Sequence, residues 1–215
     1  MNTVSEESLE LACRDYEVIV VDLDDTLTLA TSLEEFLGFH LQRKYGLIGK
    51  FKIKLASIVL KALKALGLQS EILLKIYVDF LLLGERYRDL KDSALLYIYS
   101  VIKERRVRRS ILNLLEECRR NSKTLILATG NVDLVASFIS KYLGFHYFVS
   151  SEVKCNLTCR LRCRIVGPRK VLEMIKLIKK LVKDVDKVAY IADKWSITIE
   201  GSRHAFKNVI MVNGR

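Results

Sequence analysis

Val18-Ile19-Val20-Val21-Asp22-Leu23-Asp24-Asp25-Thr26-Leu27 decides how this chain is read. Four β-branched residues in a row predict a strand buried on both faces of a parallel sheet, because such strands are continuously apolar rather than alternating. The acids begin where the run ends. Ligands of open α/β sheets bind beyond the carboxyl ends of the strands, so Asp22 and Asp24 are expected at the mouth of that crevice. Alternate strand residues share a face, which lets the two carboxylates converge on one ligand. Carboxylates held this close repel unless a cation lies between them, and a hard divalent ion with oxygen ligands suits the pair. The plainer alternative is that the acids cap the following turn or helix.

The 215 residues, half of them hydrophobic with a single proline, suit a compact fold with one good core plus an insertion, or two small domains. Uncharged runs do not exceed ten residues, as in Tyr142 to Ser151, too short for the roughly 20 apolar residues of a spanning helix. The acidic start, Met1 to Glu7, lacks the basic and apolar regions of a secretory signal, so a cytoplasmic location is expected. A net charge of +11 favours anionic partners without choosing among them. Cys13, Cys118, Cys155, Cys159 and Cys163 lack the paired spacing of a zinc site. Cys159-Arg160-Leu161-Arg162-Cys163 alternates, placing cysteines on an apolar strand face and arginines in water. Buried free thiols are therefore expected, and the odd count argues against a complete disulfide framework.

Residues 1 to about 15 read as an extension or short helix. From Ser32, which forms a capping box with Glu35, to about Lys103 the pattern is helical, with helices expected near 47–66, 70–83 and 87–103 and with Gly67 and Gly84 as terminators. Phe36 to Ser70 holds seven Lys or Arg and no acid. Its stripe Leu47, Phe51, Leu55, Ile58, Ala62 and Leu66 is expected to pack inside a helical bundle while the lysines stay in water. The alternative is a basic amphipathic helix lying on an anionic membrane surface. Arg105 to Arg109 lacks the interleaved aromatics of a stacking platform, so nucleic acid is not an expected partner.

Strand and helix then alternate. Thr124 to Ala128 is a second buried strand ending at Thr129-Gly130-Asn131, and a helix capped by Asn131 follows over 132–143. A short strand at 146–149, a hairpin over 150–165 turning near Asn156, and an amphipathic helix after Gly167-Pro168 come next, the helix showing Val171, Ile175, Ile178 and Val182 on one face. Val188 to Ala192 is a buried strand ending in Asp193, and Asn208 to Val212 is the last strand. Three strands thus end in polar groups suited to one phosphate site. Each has an ordinary explanation alone: Thr129 as a turn hydroxyl, Lys170 as a surface lysine, Asp193 as a cap.

In this order the groups resemble the motifs of the haloacid dehalogenase (HAD) superfamily, and more closely its phosphoserine-phosphatase-like branch, subfamily IB, with a helical cap inserted between the first two motifs. Asp22 to Leu27 looks like motif one, Leu125 to Thr129 motif two, Lys170 motif three and Asp193 motif four. The resemblance implies a Rossmann-like parallel sheet flanked by helices, with a core of 1–30 and 105–215, an all-helical cap of 31–104 and a β-hairpin. It implies a phosphatase in which Asp22 is the nucleophile and Asp24 the acid and base. Thr129, Gly130 and Lys170 would bind phosphate, and Asp22, Asp24 (through its carbonyl) and Asp193 would hold Mg2+. The substrate would be a small-molecule or lipid phosphate. Two positions depart from the family pattern. Ala192 and Ile197 stand where motif four has glycine and a second acid, and Thr31 stands where phosphoserine phosphatases carry a glutamate, so phosphoserine is not the first expected substrate. A different expectation, suited to the incomplete fourth motif, is a degenerate HAD fold that binds an anionic partner without hydrolysis.

Overall fold

The computed structural model describes residues 6–29, 33–65, 70–156, 158–163, 168–182, 184–193 and 205–212. Ser32, Leu66, Gly67, Thr31 and Ile197 lie outside these residues. Helix α1 (Glu6–Asp15) leads into β1 (Val18–Asp22), every residue of which is buried, as its continuous β-branched run requires. Four helices follow: α2 (Leu33–Tyr45), α3 (Leu47–Ala65), α4 (Ser70–Leu82) and α5 (Tyr87–Lys103). The remainder alternates through α6 (Arg109–Arg120), β2 (Thr124–Val132), α7 (Asp133–Leu143), β3 (Tyr147–Cys155), β4 (Cys159–Cys163), α8 (Pro168–Leu181), β5 (Val188–Asp193) and β6 (Asn208–Val212).

The strands form one sheet in the order β4-β3-β2-β1-β5-β6, parallel except for the antiparallel β3–β4 pair. The fold is therefore the expected Rossmann-like arrangement with a hairpin. β3 serves both purposes: its first half continues the parallel ladder with β2, and its second half forms the hairpin with β4. Side chains alternate between two cores. Val18, Val20, Ile126, Ala128, Tyr190 and Ala192 meet Val171, Met174 and Ile178 of α8 on one face. Ile19, Val21, Leu125, Leu127 and Ile191 belong to a larger core on the other face, shared with α6 and α7 and continuous with Phe36, Leu41, Tyr77, Leu81 and Tyr97 of the helical insertion. The insertion is thus packed onto the sheet layer through a common apolar interior.

Three expectations need correction. Cys13 is bonded to Cys118, which staples α1 to α6, and Cys155 is bonded to Cys159 across the hairpin, so four of the thiols are not free. The residues of the first pair are 105 apart and on different helices, where spacing gives no sign of pairing. The second pair are direct partners in the β3–β4 register. Next, β2 continues to Val132, which is the N-cap of α7, while the Asn131 side chain accepts from the Val132 N–H (2.9 Å) and serves the strand end instead.

The third correction concerns α3. Its stripe is not inside a bundle: Leu47, Phe51, Leu55, Ile58 and Ala62 are exposed. The inward seam is Gly49, Ile53, Ala56 and Leu60, packed against α2 and α4. Small residues let the helices approach closely. A Cβ on Gly49 would stand 2.1 Å from the Leu41 carbonyl oxygen, so glycine is required at this crossing.

Candidate active site

Asp22 is the last residue of β1 and is 1% exposed, while Lys170, in the first turn of α8, is 3% exposed. Lys170 Nζ donates to Asp22 Oδ1 at 2.7 Å across 148 residues of sequence. Each ion here answers the cost of burying the other. The strand ends align around this pair. Asp22 is in register with Ala128, so Thr129 stands one residue beyond it on β2. Val21 is in register with Ile191, so Asp193 occupies the equivalent level on β5. Thr129 and Asp193 are both buried.

The loop after β1 is tied down at several points. The Leu27 N–H donates to the Asp22 carbonyl (3.2 Å), the Thr28 N–H and hydroxyl both donate to the Leu23 carbonyl (3.0 Å each), and Asp24 forms a bridge with Thr28. Asp25 takes a left-handed conformation, φ +56°, which an aspartate tolerates better than a bulky residue. Arg108 donates to the Asp25 carbonyl (3.1 Å), and the Asp193 N–H donates to Thr26 Oγ1 (2.8 Å), joining the loop to the end of β5. At the end of β2, Thr129 Oγ1 accepts from the Asn131 N–H (3.0 Å), and Ser151 donates to the Gly130 carbonyl (2.7 Å) where the β2–β3 register shifts. Thr26 lies within the motif-one stretch, whereas Arg108 and Ser151 carry no motif of their own, and only their position beside the strand ends marks them.

From the insertion, Tyr97 of α5 is buried near this loop. Burial, then the charges of Glu35 and Asp24, push its phenol well above the ordinary value. Arg106 pairs with Glu35 and so links the start of α2 to the segment entering α6.

The donors at the strand ends are oxygens, with the buried carboxylates of Asp22 and Asp193 on adjacent strands. That set fits a hard cation. Among the described residues no group of three or more His, Cys, Asp or Glu side chains is gathered to hold a metal. A cation here would therefore use two carboxylates and a carbonyl and keep water for its other positions, as Mg2+ commonly does.

A family model for haloacid dehalogenase-like hydrolases matches residues 19–200. The chain belongs to this HAD family. Solved structures share the fold: a protein of unknown function from Bordetella pertussis Tohama I (TM-score 0.64, 15% identity, 90% of this chain and 97% of that one); a probable phosphoserine phosphatase from Vibrio cholerae (0.62, 12%, 89% and 54%); and a phosphoserine phosphohydrolase-like protein from Francisella tularensis (0.60, 15%, 91% and 86%). No curated protein matches the chain. In this HAD hydrolase Asp22 and Lys170 are in direct contact, and Thr129 and Asp193 stand on the two strands flanking Asp22.

One charged cluster went unread in the sequence. His40, Glu85 and Ser93 are fully buried within the insertion. His40 Nδ1 lies 2.8 Å from Ser93 Oγ and His40 Nε2 lies 2.8 Å from Glu85 Oε2, while Lys44 donates to Glu85 (2.8 Å) and Arg43 to Ser93 (3.1 Å). Burial opposes the Glu85 charge, but the bonds from His40 and Lys44 outweigh it and hold the carboxyl at about 2. The Glu85 carbonyl also accepts from the Cys159 N–H (3.1 Å), which fastens β4 to the insertion.

Proposed function

We propose that the protein is a Mg2+-dependent phosphomonoester hydrolase working through an aspartyl-phosphate. The supporting observation is the buried Asp22–Lys170 contact at the end of β1, in a chain of the HAD hydrolase family. A carboxylate oxygen of Asp22 attacks phosphorus and the bond to the ester oxygen breaks, so one hard displacement becomes two easier ones. Asp24 gives the leaving alkoxide a proton and then takes one from the water that cleaves the aspartyl-phosphate, which frees Asp22 and inorganic phosphate. Lys170, the Thr129 hydroxyl and the Gly130 backbone hold the phosphoryl oxygens as their charge shifts. Asp22, the Asp24 carbonyl and Asp193 would hold Mg2+, which supplies positive charge between nucleophile and phosphate.

Residues 31–104 act as a cap over this site and select the substrate, a small phosphorylated molecule or a lipid phosphate. The test is phosphate release from an aryl phosphate and a panel of phosphate esters by pure protein with Mg2+, using Asp22→Asn as control. Turnover lost in the variant supports the proposal. No turnover across the panel, or turnover indifferent to Asp22→Asn, removes it. Salt-sensitive retention on an anionic matrix without turnover would point to a non-hydrolytic HAD fold instead.

A further inference from the structure

The outward face of α3 carries large apolar side chains that no element among the described residues covers. Leu47 is 81% exposed, Ile48 73%, Phe51 67% and Ile58 56%, with Leu55 and Val59 also exposed. At about 100° per residue these positions fall within one arc of roughly 120°, opposite the Gly49–Ile53–Ala56–Leu60 seam. Lys50, Lys54, Lys61 and Lys64 are exposed along one flank of that arc. A contiguous apolar face of this kind, rimmed by charge, marks an interaction surface.

We propose that α3 docks this protein on an anionic lipid surface, with its apolar arc in the headgroup and acyl boundary and its lysine row among the phosphates. The charge pattern selects this occupant. Between Phe36 and Ser70 there are seven Lys or Arg and no Asp or Glu, so a second copy laid antiparallel on the same face would set lysine row beside lysine row, and in either orientation this stretch offers no carboxylate to pair the lysines. An anionic bilayer supplies both complements at once: apolar depth for the leucines, isoleucines and Phe51, and phosphate for ammonium groups on long flexible stems. The helix is 19 residues long and lies along the surface of the insertion. No helix among the described residues is long and apolar enough to cross a membrane, so contact through α3 would be peripheral.

This inference is independent of the hydrolase reading, because none of the α3 residues belongs to the strand-end site. The test uses the full chain in flotation with vesicles of phosphatidylcholine alone and of phosphatidylcholine with phosphatidylglycerol. Binding is expected to the anionic vesicles at low salt and to weaken as salt screens the lysines. Phe51→Glu with Ile58→Glu should lower the bound fraction at least tenfold. Lys50→Glu with Lys54→Glu and Lys61→Glu should abolish the preference for anionic lipid. Both variants change exposed residues, so unaltered thermal unfolding certifies their fold whatever the outcome of the phosphatase assay. Absence of binding to anionic vesicles, binding indifferent to the Phe51 and Ile58 changes, or a dimer in solution that Phe51→Glu dissociates would overturn the proposal.

Discussion

Two buried clusters of charge differ in where the chain puts them. Asp22 and Lys170 meet where parallel strands end and a helix begins, next to backbone that shifts register and turns. His40, Glu85 and Ser93 sit among helices, with Lys44 and Arg43 closing the cluster from outside and Leu82 and Cys159 engaged through the Glu85 backbone. The second cluster joins α2, the α4–α5 connection, α5 and β4, so its bonds hold elements together. The first lies at the mouth of a sheet, where the fold class binds ligands. Burial and charge alone do not separate the two. Their position relative to strand ends does.

The sharpest way to break this comparison is to exchange the consequences. Asp22→Asn should lower turnover of an aryl phosphate by about 10^3-fold or more, the scale of removing a nucleophile, while the protein still unfolds cooperatively, because asparagine keeps an oxygen for Lys170. Glu85→Ala should do the opposite. Removing one partner of a buried ion pair costs about 3–5 kcal/mol, so its midpoint in urea should fall markedly, while turnover per folded molecule stays near that of the parent. Loss of turnover in folded Glu85→Ala protein would move this cluster into the catalytic machinery.

Acid sharpens the same contrast. The Glu85 carboxyl is held at about 2 against an ordinary 4.5, so it contributes stability that is fully present above about pH 4.5 and is lost as pH falls toward 2. Thermal midpoints measured between about pH 5 and 3 should therefore drop less steeply for Glu85→Gln than for the parent. Equal slopes would mean that the carboxylate is not held down by His40 and Lys44.

The strand-end site was legible because its signals are local. A buried run closing in an acid appears at Val18–Asp22 and again at Val188–Asp193, and the apolar run of β2 gives way at Thr129 although the strand continues to Val132, so the parallel sheet and the level of the candidate site follow from the local pattern. The insertion hid its organisation for the opposite reason. His40 lies 45 residues from Glu85 and 53 from Ser93, and no pattern in the sequence links them. On α3 the large residues point to solvent while the packed seam includes Gly49 and Ala56, which contribute little to a hydrophobic pattern. The disulfide of Cys13 with Cys118 depends on two helices meeting, which spacing does not report. Gly49→Ala tests the seam: its Cβ would press on the Leu41 carbonyl, and the helices must separate at a cost of about 1–3 kcal/mol, visible as a lower urea midpoint. An unchanged midpoint would mean that α2 and α3 separate freely and that the insertion is more loosely joined than the sheet.

The smallest expected effect lies at the joint between loop and strand. Thr26 is buried, and its hydroxyl oxygen accepts from the Asp193 N–H, so the position of the Asp193 carboxylate depends on a residue that touches no substrate in the proposed reaction. Thr26→Val keeps the shape and removes the acceptor, leaving a buried N–H at a cost of about 1 kcal/mol. A purely structural bond would show only that loss of stability. If instead the bond positions Asp193 toward Mg2+, the concentration of Mg2+ giving half-maximal turnover should rise several-fold in Thr26→Val and return in Thr26→Ser, which restores the hydroxyl. A Mg2+ dependence identical in all three proteins would separate Asp193, one residue beyond the level of Asp22 on the neighbouring strand, from the proposed metal.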